Sequence, residues 1–210
     1  MPNILPFRDN TPAISFFDPF GNAVHAGLNY EMIGEDVLIT GAGPIGLMAI
    51  SVCNFVGARN VVITDHNEYR LNLAEEMGAT KTINVLNNSV AEFFPELNMT
   101  SGFDVGLEMS GAPEALSDMV NNMYHGGKIA LLGLIPNTTQ INWENIIFRG
   151  LTVKGIYGRE MYETWYKMTQ MLRSGLNVSK IVTHKLPVNE YEKAFSIVES
   201  GECGKVIMVW

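Results

Sequence analysis

The amino-acid sequence predicts an α/β fold in which helices cover a parallel, doubly wound sheet. Three observations predict it. Short runs rich in β-branched residues alternate with longer amphipathic stretches along most of the 210 residues. The spacing leaves room for a right-handed helical crossover between successive parallel strands. A glycine cluster at residues 41–46 stands directly after the first run and opens the first long apolar stretch, as in a strand followed by a tight turn and a helix.

Six short runs predict the six strands of a Rossmann sheet, which is built from two mononucleotide-binding halves. Asn67 is a suitable N-cap and Gly78 a suitable stop for one of the crossover helices, and Pro113 suits the first turn of another. The predicted strands are residues 36–40, 60–65, 82–85, 103–108, 128–133 and 151–157, and the predicted crossover helices are residues 44–56, 67–77, 89–97 and 113–123.

Both ends of the chain interrupt this alternation. Residues 1–14 contain proline and asparagine without a clear period and predict an irregular segment, so the Rossmann domain is predicted over residues 15–158. Residues 159–210 predict two further helices and only two strands, which form no closed domain. This C-terminal segment is therefore predicted to be part of a second, incomplete domain. The two strands are predicted at residues 181–184 and 205–209, and the two helices at residues 160–173 and 190–199.

Composition excludes several classes of function. The formal net charge is −8 and the sequence pI is about 5.0, so the surface repels nucleic acid and anionic lipid. No apolar run is long enough to span a membrane, and the N-terminus carries no secretory signal pattern. Cys53 and Cys203 are too few for a disulfide framework. These features predict a cytoplasmic protein.

The glycine cluster Gly41-Ala42-Gly43-Pro44-Ile45-Gly46 has the G-x-G-x-x-G spacing of dinucleotide-binding turns. Gly41 permits the tight turn, Gly43 lets a pyrophosphate approach the backbone, and Gly46 allows the helix to pack closely on the strand. The helix N-terminus then offers N–H groups and partial positive charge to the phosphates. The alternative is a glycine-rich turn without a ligand, which the flanking strand and helix make the weaker interpretation.

Asp65 ends the second predicted strand, 19 residues after Gly46. A carboxylate there binds the adenosine ribose hydroxyls and repels a 2′-phosphate, so it selects NAD over NADP. His66 follows instead of an arginine, in agreement with this selection. Arg70, one helical turn further on, either stacks on adenine, fastens the Asp65 carboxylate or is a plain surface arginine. The alternative for Asp65 is a solvated carboxylate at a strand end.

The carboxyl ends of the fifth and sixth strands belong to the same cleft, because ligands of such sheets bind outside the carboxyl ends of the strands. These ends are candidates for the nicotinamide side of the cleft. An equally good interpretation is that these two strand ends are simply the buried core of the sheet where it leads into a loop. The candidate residues are Leu132, Gly133, Leu134, Ile156 and Tyr157.

Catalytic metal ligands are not found. Oxidation of an alcohol needs a base or a metal to stabilise the oxyanion, but the sequence has no H-E-x-x-H, no C-x-x-C and no Cys/His/Glu set with zinc spacing. His25 lies in a predicted helix over residues 19–28, seven residues after Asp18, so both can share a face. A helix histidine with satisfied hydrogen bonds is the better interpretation of His25.

Five stretches resemble a known family, and two of them, residues 102–113 and 154–161, are far more specific than the glycine cluster. From about Phe16 onward, the chain resembles the zinc-dependent medium-chain dehydrogenases, in particular those that oxidise the β-hydroxyl of L-threonine with NAD to 2-amino-3-oxobutanoate. In that family a catalytic zinc polarises the hydroxyl while hydride leaves for the nicotinamide. The other stretches are residues 17–25, 41–46 and 61–65.

The resemblance implies roles for individual residues. Asp18 matches an acid that supports proton relay near the zinc without binding the metal. Contacts with NAD are implied for Ile45, Asp65, Arg70, Leu132, Gly133, Leu134, Ile156 and Tyr157.

The family also has a GroES-like domain that carries the catalytic zinc ligands and a structural zinc lobe, and we expect neither here. Residues 159–210 correspond to the returning part of that catalytic domain. A truncated gene product and an expressed fragment both remain open as explanations.

Three hypotheses follow from this difference. The chain is an NAD-binding part that is inactive alone, one half of a split enzyme, or a non-catalytic module that binds NAD or assembles. L-threonine is expected to bind only if a zinc domain is supplied. We expect a homodimer through the edge strand at residues 151–157, and the resemblance allows a tetramer.

Overall fold

A computed structural model describes residues 15–210, which fold into helices and strands in nearly the predicted order. The α-helices are α1 Phe17–Gly27, α2 Pro44–Phe55, α3 Glu68–Glu76, α4 Pro113–Asn122, α5 Trp143–Phe148, α6 Glu163–Arg173 and α7 Tyr191–Ser200. The strands are β1 Asp36–Thr40, β2 Asn60–Asp65, β3 Lys81–Asn84, β4 Phe103–Glu108, β5 Met123–Leu131, β6 Thr152–Gly155, β7 Val182–Pro187 and β8 Lys205–Val209. The predicted irregular segment at residues 1–14 lies outside the described residues.

The main sheet has six strands in the order β3-β2-β1-β4-β5-β6, and every neighbouring pair is parallel. This is the order of two mononucleotide-binding halves joined side by side. The predicted α/β class with a parallel, doubly wound Rossmann sheet is therefore confirmed. The order reverses between β1 and β4, so a crevice opens at the carboxyl ends of these two strands.

Both faces of the sheet are covered by apolar side chains. All residues of β1 and β2 are buried. Ile39 and Ile63 pack on the α1 and α2 side, whereas Leu38 and Val62 pack on the α4 side with Met119. Full burial of one such side chain contributes about 1.5–3 kcal/mol of free energy. The crevice at the end of β1 thus rests on the best-buried part of the molecule.

The C-terminal segment packs back onto the Rossmann layers. Helix α6 contacts α1, and Met168 lies in the same apolar cluster as Phe20 of α1. Strands β7 and β8 pair with each other in parallel and form a separate two-stranded sheet. Lys180 Nζ, just before β7, donates to the carbonyl oxygen of Glu76 at 2.6 Å. The division at residue 158 stays a prediction.

Four elements differ from the predictions, three of them before the edge strand. Residues 89–97 were predicted as a helix interrupted near Pro95. The α-helix is wrong, since only a 3₁₀ helix, Val90–Phe93, stands there, but the chain does turn near Pro95, before Asn98 with φ 55°. Strand β5 begins five residues earlier than predicted, because Gly126 with φ 80° lets the strand continue through a register shift against β4. Helix α5 was not predicted.

The edge strand is shorter than predicted. Pairing with β5 covers only Thr152–Gly155, so the predicted bounds 151–157 are wrong. Ile156 N still donates to the carbonyl oxygen of Leu131 at 2.7 Å, but the chain then leaves the sheet. Gly158, with φ 54°, directs the chain away towards α6.

Among residues 15–210, no helix is long and apolar enough to cross a membrane.

Candidate functional site

A cleft of about 960 Å³ opens at the carboxyl ends of β1, β2, β3 and β4. Clefts that bind small molecules usually measure about 300–1,000 Å³. Its wall consists of the glycine turn after β1, the end of β2, the loop after β3 and the start of α4. The lining residues include Gly41, Gly43, Asp65, His66, Arg70, Val85, Leu86, Asn87, Asn88, Ser89, Met109, Ser110, Glu114 and Asp118.

The three glycines of the turn occupy three different environments. Gly41 has φ 91°, which side chains rarely adopt, and it packs against Ser110. A Cβ on Gly46 would collide with the carbonyl oxygen of Gly41, so α2 can start this close to β1 only with glycine there. On Gly43, a Cβ would meet no atom of the described residues within 4 Å. Gly43 therefore leaves open the space that faces the cleft.

The start of α2 is available to an anion. Gly43 is the N-cap, Pro44 opens the helix, and within residues 15–210 no side chain caps it and no acidic residue lies in its first turn. The unpaired N–H groups of a first turn carry a partial positive charge. Ile45 and Gly46 lie in this turn.

The Asp65 carboxylate joins two loops of the cleft. One oxygen, Oδ2, accepts from the backbone N–H of Ala42 in the glycine turn at 2.7 Å. The other, Oδ1, accepts from the N–H groups of His66 and Asn67 at 2.8 and 2.9 Å. Asp65 is buried at the end of β2 yet lines the cleft. Its position therefore fixes the glycine turn relative to β2.

Arg70 lines the same cleft from α3 but does not fasten Asp65. Its Nε donates to the carbonyl oxygen of Gly201 at 3.2 Å, beyond the end of α7. Asn67 caps α3 as predicted, because its side chain accepts from the N–H of Arg70 at 3.2 Å. In this structure, therefore, Arg70 does not bind the Asp65 carboxylate.

Glu108, at the end of β4, is fully buried and connects the ends of β1, β4 and β5, with Thr40 Oγ1 of β1 donating to its Oε1 at 3.4 Å. Its Oε1 accepts from the N–H groups of Ser110 and Gly111, each at 2.9 Å. Its backbone oxygen accepts from the N–H groups of Leu132 and Gly133, at 3.0 and 3.1 Å. The sequence reasoning gave Glu108 no role, although it lies in one of the stretches that carry the resemblance.

The five residues predicted for the nicotinamide side lie at the carboxyl ends of β5 and β6, away from the lining of the cleft. Gly133 packs on Gly111, and a Cβ there would come within 2.8 Å of the Gly111 Cα atom. Ile156 is buried, whereas Leu134 and Tyr157 are 95% and 98% exposed. The backbone oxygen of Glu108 joins Leu132 and Gly133 to the end of β4, whereas the side chains of Leu134 and Tyr157 remain exposed.

Asp18 lies in the first turn of α1 and pairs with Arg159 on the loop after β6. His25 contacts the same loop, because its ring Nδ1 lies 3.0 Å from the carbonyl oxygen of Gly158. His25 Nε2 is 3.8 Å from a carboxylate oxygen of Glu160. Asp18 and His25 thus hold the loop that follows β6, and His25 has the satisfied hydrogen bond expected of a helix histidine.

The loop after β3 and the start of α4 were missed as parts of the cleft. Both follow a strand end, so the rule that ligands bind outside the carboxyl ends of strands was the signal that would have found them. Asp118 of α4 lines the cleft, and burial raises the pKa of its carboxyl, although a hydrogen bond from Asn122 opposes this. Among residues 15–210, no three His, Cys, Asp or Glu side chains are arranged to hold a metal ion.

Comparisons with known proteins agree with this geometry. A family model described as zinc-binding dehydrogenase matches residues 44–174. The L-threonine 3-dehydrogenase of Stenotrophomonas maltophilia is 55% identical over 99% of this chain. That of Burkholderia vietnamiensis is 60% identical over 93% of this chain. The chain spans 62% and 57% of the lengths of these two relatives.

Solved structures share the fold. A short chain alcohol dehydrogenase from Escherichia coli CFT073, in complex with NADH, superposes with a TM-score of 0.87 at 23% identity, covering 98% of this chain and 61% of that one. An alcohol dehydrogenase from Thermotoga maritima superposes with a TM-score of 0.80 at 30% identity, covering 92% of this chain and 55% of that one. The family model alone spans more than half of the 210 residues. The chain therefore belongs to the zinc-binding dehydrogenase family.

Proposed function

We propose that this chain is the NAD-binding part of an L-threonine 3-dehydrogenase. The observation that carries the proposal is the meeting of the glycine turn and the Asp65 carboxylate at one edge of the cleft. The relatives of 55% and 60% identity carry the name of this activity. The reaction would convert L-threonine and NAD⁺ into 2-amino-3-oxobutanoate, NADH and a proton.

The cleft suits a dinucleotide. Open space at Gly43 and the uncapped start of α2 suit a pyrophosphate, whose charge the helix N-terminus stabilises. Asp65 would accept from the ribose hydroxyls and repel a 2′-phosphate, so we expect NAD rather than NADP. Arg70 would lie beside the adenine. Contacts with the nicotinamide half would come from Leu132, Gly133, Leu134, Ile156 and Tyr157.

The chemical step would need zinc, which the residues of this chain do not fit. Since no metal-binding group forms among residues 15–210, we derive no step through zinc. We propose that residues 159–210 are the C-terminal part of a catalytic domain, and that this chain is inactive without the remainder. Asp18, held by Arg159 and with most of its side chain exposed, would support proton relay. The unpaired cysteines suit the cytoplasm.

A titration of the purified chain with NADH, with NADPH as the matched control, tests the cofactor assignment. We expect saturable binding of NADH and much weaker binding of NADPH. Equal binding of both cofactors would contradict the role of Asp65. Threonine-dependent reduction of NAD, measured by absorbance, tests the second claim. Turnover by this chain alone at the rate of a zinc enzyme would contradict the proposed inactivity.

A second candidate function, assembly, is favoured by the edge of the sheet. All four residues of β6 are exposed, and Trp143, Ile147 and Phe148 of the neighbouring α5 are 64–77% exposed. An unpaired edge beside an apolar helix invites pairing with a second strand. We propose a homodimer in which β6 pairs with its symmetry-related copy; a tetramer would need a further interface.

Sedimentation velocity at micromolar concentration tests the dimer. We expect Val153→Lys, which places a charge on the exposed edge, to shift the chain to a monomer. Val209→Lys is the matched control, because Val209 is an exposed valine at the end of β8, in the other sheet. A wild-type monomer, or equal effects of the two variants, would contradict the proposed interface.

A further inference from the structure

The C-terminal segment contacts the wall of the cleft through the carbonyl group of Gly201. Gly201 closes α7 in the left-handed conformation, with φ 74°. Its carbonyl oxygen accepts from Asn67 Nδ2 at 3.3 Å and from Arg70 Nε at 3.2 Å. These partners are 134 and 131 residues away along the chain. The end of α7 and the start of α3 are therefore joined at the place where α3 contributes Arg70 to the cleft.

This carbonyl holds the Arg70 side chain in one orientation. A free arginine loses about 2 kcal/mol of rotamer entropy when it is fixed in one geometry. The bond to Nε orients the planar guanidinium before a ligand arrives and leaves its terminal nitrogens uncommitted to Gly201. Arg70 lies half-buried in the wall of the cleft with Asp65. A prearranged guanidinium binds a ligand at a lower entropic cost.

Asn67 and Gly201 are each suited to this arrangement. Asn67 uses its side-chain oxygen to cap α3 and its amide nitrogen to reach Gly201. At Gly201, a Cβ would lie 3.2 Å from Asn67 Nδ2 and 3.5 Å from Arg70 Nη2. The backbone conformation and the space at residue 201 thus both favour glycine. Burial raises the pKa of the Cys203 thiol, and the nearby Arg70 guanidinium opposes this increase.

We infer that Asn67 and Gly201 are positioning residues that hold Arg70 for the adenosine half of a dinucleotide. This inference rests on the proposed NAD-binding function. It makes the C-terminal segment a contributor to cofactor affinity, although none of its residues lines the cleft. The mechanism acts through Arg70, so both positions lose their effect when Arg70 is absent.

The experiment measures binding of ADP-ribose and NADH by calorimetry for the whole chain and its variants. Asn67→Ser keeps an N-cap oxygen but is too short to reach Gly201. Gly201→Ala introduces the Cβ beside Asn67 and Arg70. Gly175→Ala is the matched control, because Gly175 also has a positive φ, 105°, after a helix, and no atom of the described residues lies within 4 Å of its Cβ position. Arg70→Met removes the guanidinium.

We expect Asn67→Ser and Gly201→Ala each to weaken ADP-ribose binding about fivefold, the factor of one ordinary hydrogen bond. Gly175→Ala should bind as the wild type does, and Asn67→Ser should add nothing in the Arg70→Met background. Wild-type affinity in Asn67→Ser, additive effects in the double variant, or an equal loss in Gly175→Ala would each overturn the inference while NADH binding by the wild type stands. A wild type that binds neither ligand overturns the proposed function, and the inference with it.

Discussion

Replacing Asp65 by alanine tests whether the glycine turn depends on a carboxylate from the neighbouring strand. Three backbone N–H groups donate to this carboxylate, at 2.7, 2.8 and 2.9 Å. The variant removes all three hydrogen bonds at once. It also removes the negative charge that we expect to exclude a 2′-phosphate. The same change should therefore lower both the stability of the fold and the preference for NADH.

The expected loss of stability follows from which N–H groups water can reach. His66 is exposed, so water can replace the acceptor for its N–H and for that of the adjacent Asn67. Ala42 is fully buried, and its N–H is left without an acceptor. A hydrogen bond to a charged group contributes about 1.5–3 kcal/mol. We therefore expect Asp65→Ala to lower the free energy of unfolding by about 2–3 kcal/mol.

Urea denaturation measures this loss as a lower midpoint at an unchanged m value. The matched control is Asp118→Asn, which removes a charge from the same cleft without touching the glycine turn and should not lower the urea midpoint. NADH should bind about tenfold more weakly to Asp65→Ala, while NADPH gains relative to NADH. An Asp65→Ala chain that unfolds at the wild-type midpoint would refute the reasoning, because the turn would then be held by other contacts.

Three further predictions concern the same part of the molecule. Gly43→Ala should change the free energy of unfolding by less than about 0.5 kcal/mol but weaken NADH binding. Gly46→Ala should lower the free energy of unfolding by about 1–3 kcal/mol, measured by thermal unfolding. Equal melting temperatures of the two variants would contradict this prediction. Burial raises the pKa of the Cys53 thiol to about 12, so Cys53 should react with a thiol reagent at pH 8 only after unfolding. The raised pKa of Asp118 means that its ionisation opposes folding above the unfolded-state pKa. Asp118→Asn should therefore raise the urea midpoint at pH 7 and not at pH 3, and an equal shift at both would contradict the assignment.

Local features of the sequence predicted the glycine turn because each glycine answers a local need. The positive φ of Gly41 belongs to the turn itself, and Gly46 packs on the carbonyl of Gly41, five residues earlier, although Gly41 also packs on the distant Ser110. The cap at Asn67 was equally predictable, since its partner is three residues away. Helix α5 was missed because it is six residues long and buries none of them, so its sequence lacks a buried apolar stripe.

The partners of the polar side chains were not predictable in the same way. Asp65 binds the N–H of Ala42, 23 residues earlier, and Arg70 binds a carbonyl 131 residues later. Spacing along the chain carries no information about such contacts. Excluding the Asp65 contact of Arg70 therefore needed the structure. The loop after β3, by contrast, could have been assigned to the cleft from the sequence, because its position at a strand end follows from the predicted topology.

The two halves of the proposed cofactor site differ in how completely this chain forms them, and that difference predicts relative affinities. The adenosine side has a cleft of about 960 Å³ with polar groups already held by the backbone. The nicotinamide side ends in Leu134 and Tyr157, which are 95% and 98% exposed. A ligand gains little free energy from side chains that remain solvated on their other faces. ADP-ribose should therefore bind this chain within about threefold of NADH. NADH binding tenfold or more tightly than ADP-ribose would show that the chain already forms the nicotinamide side by itself.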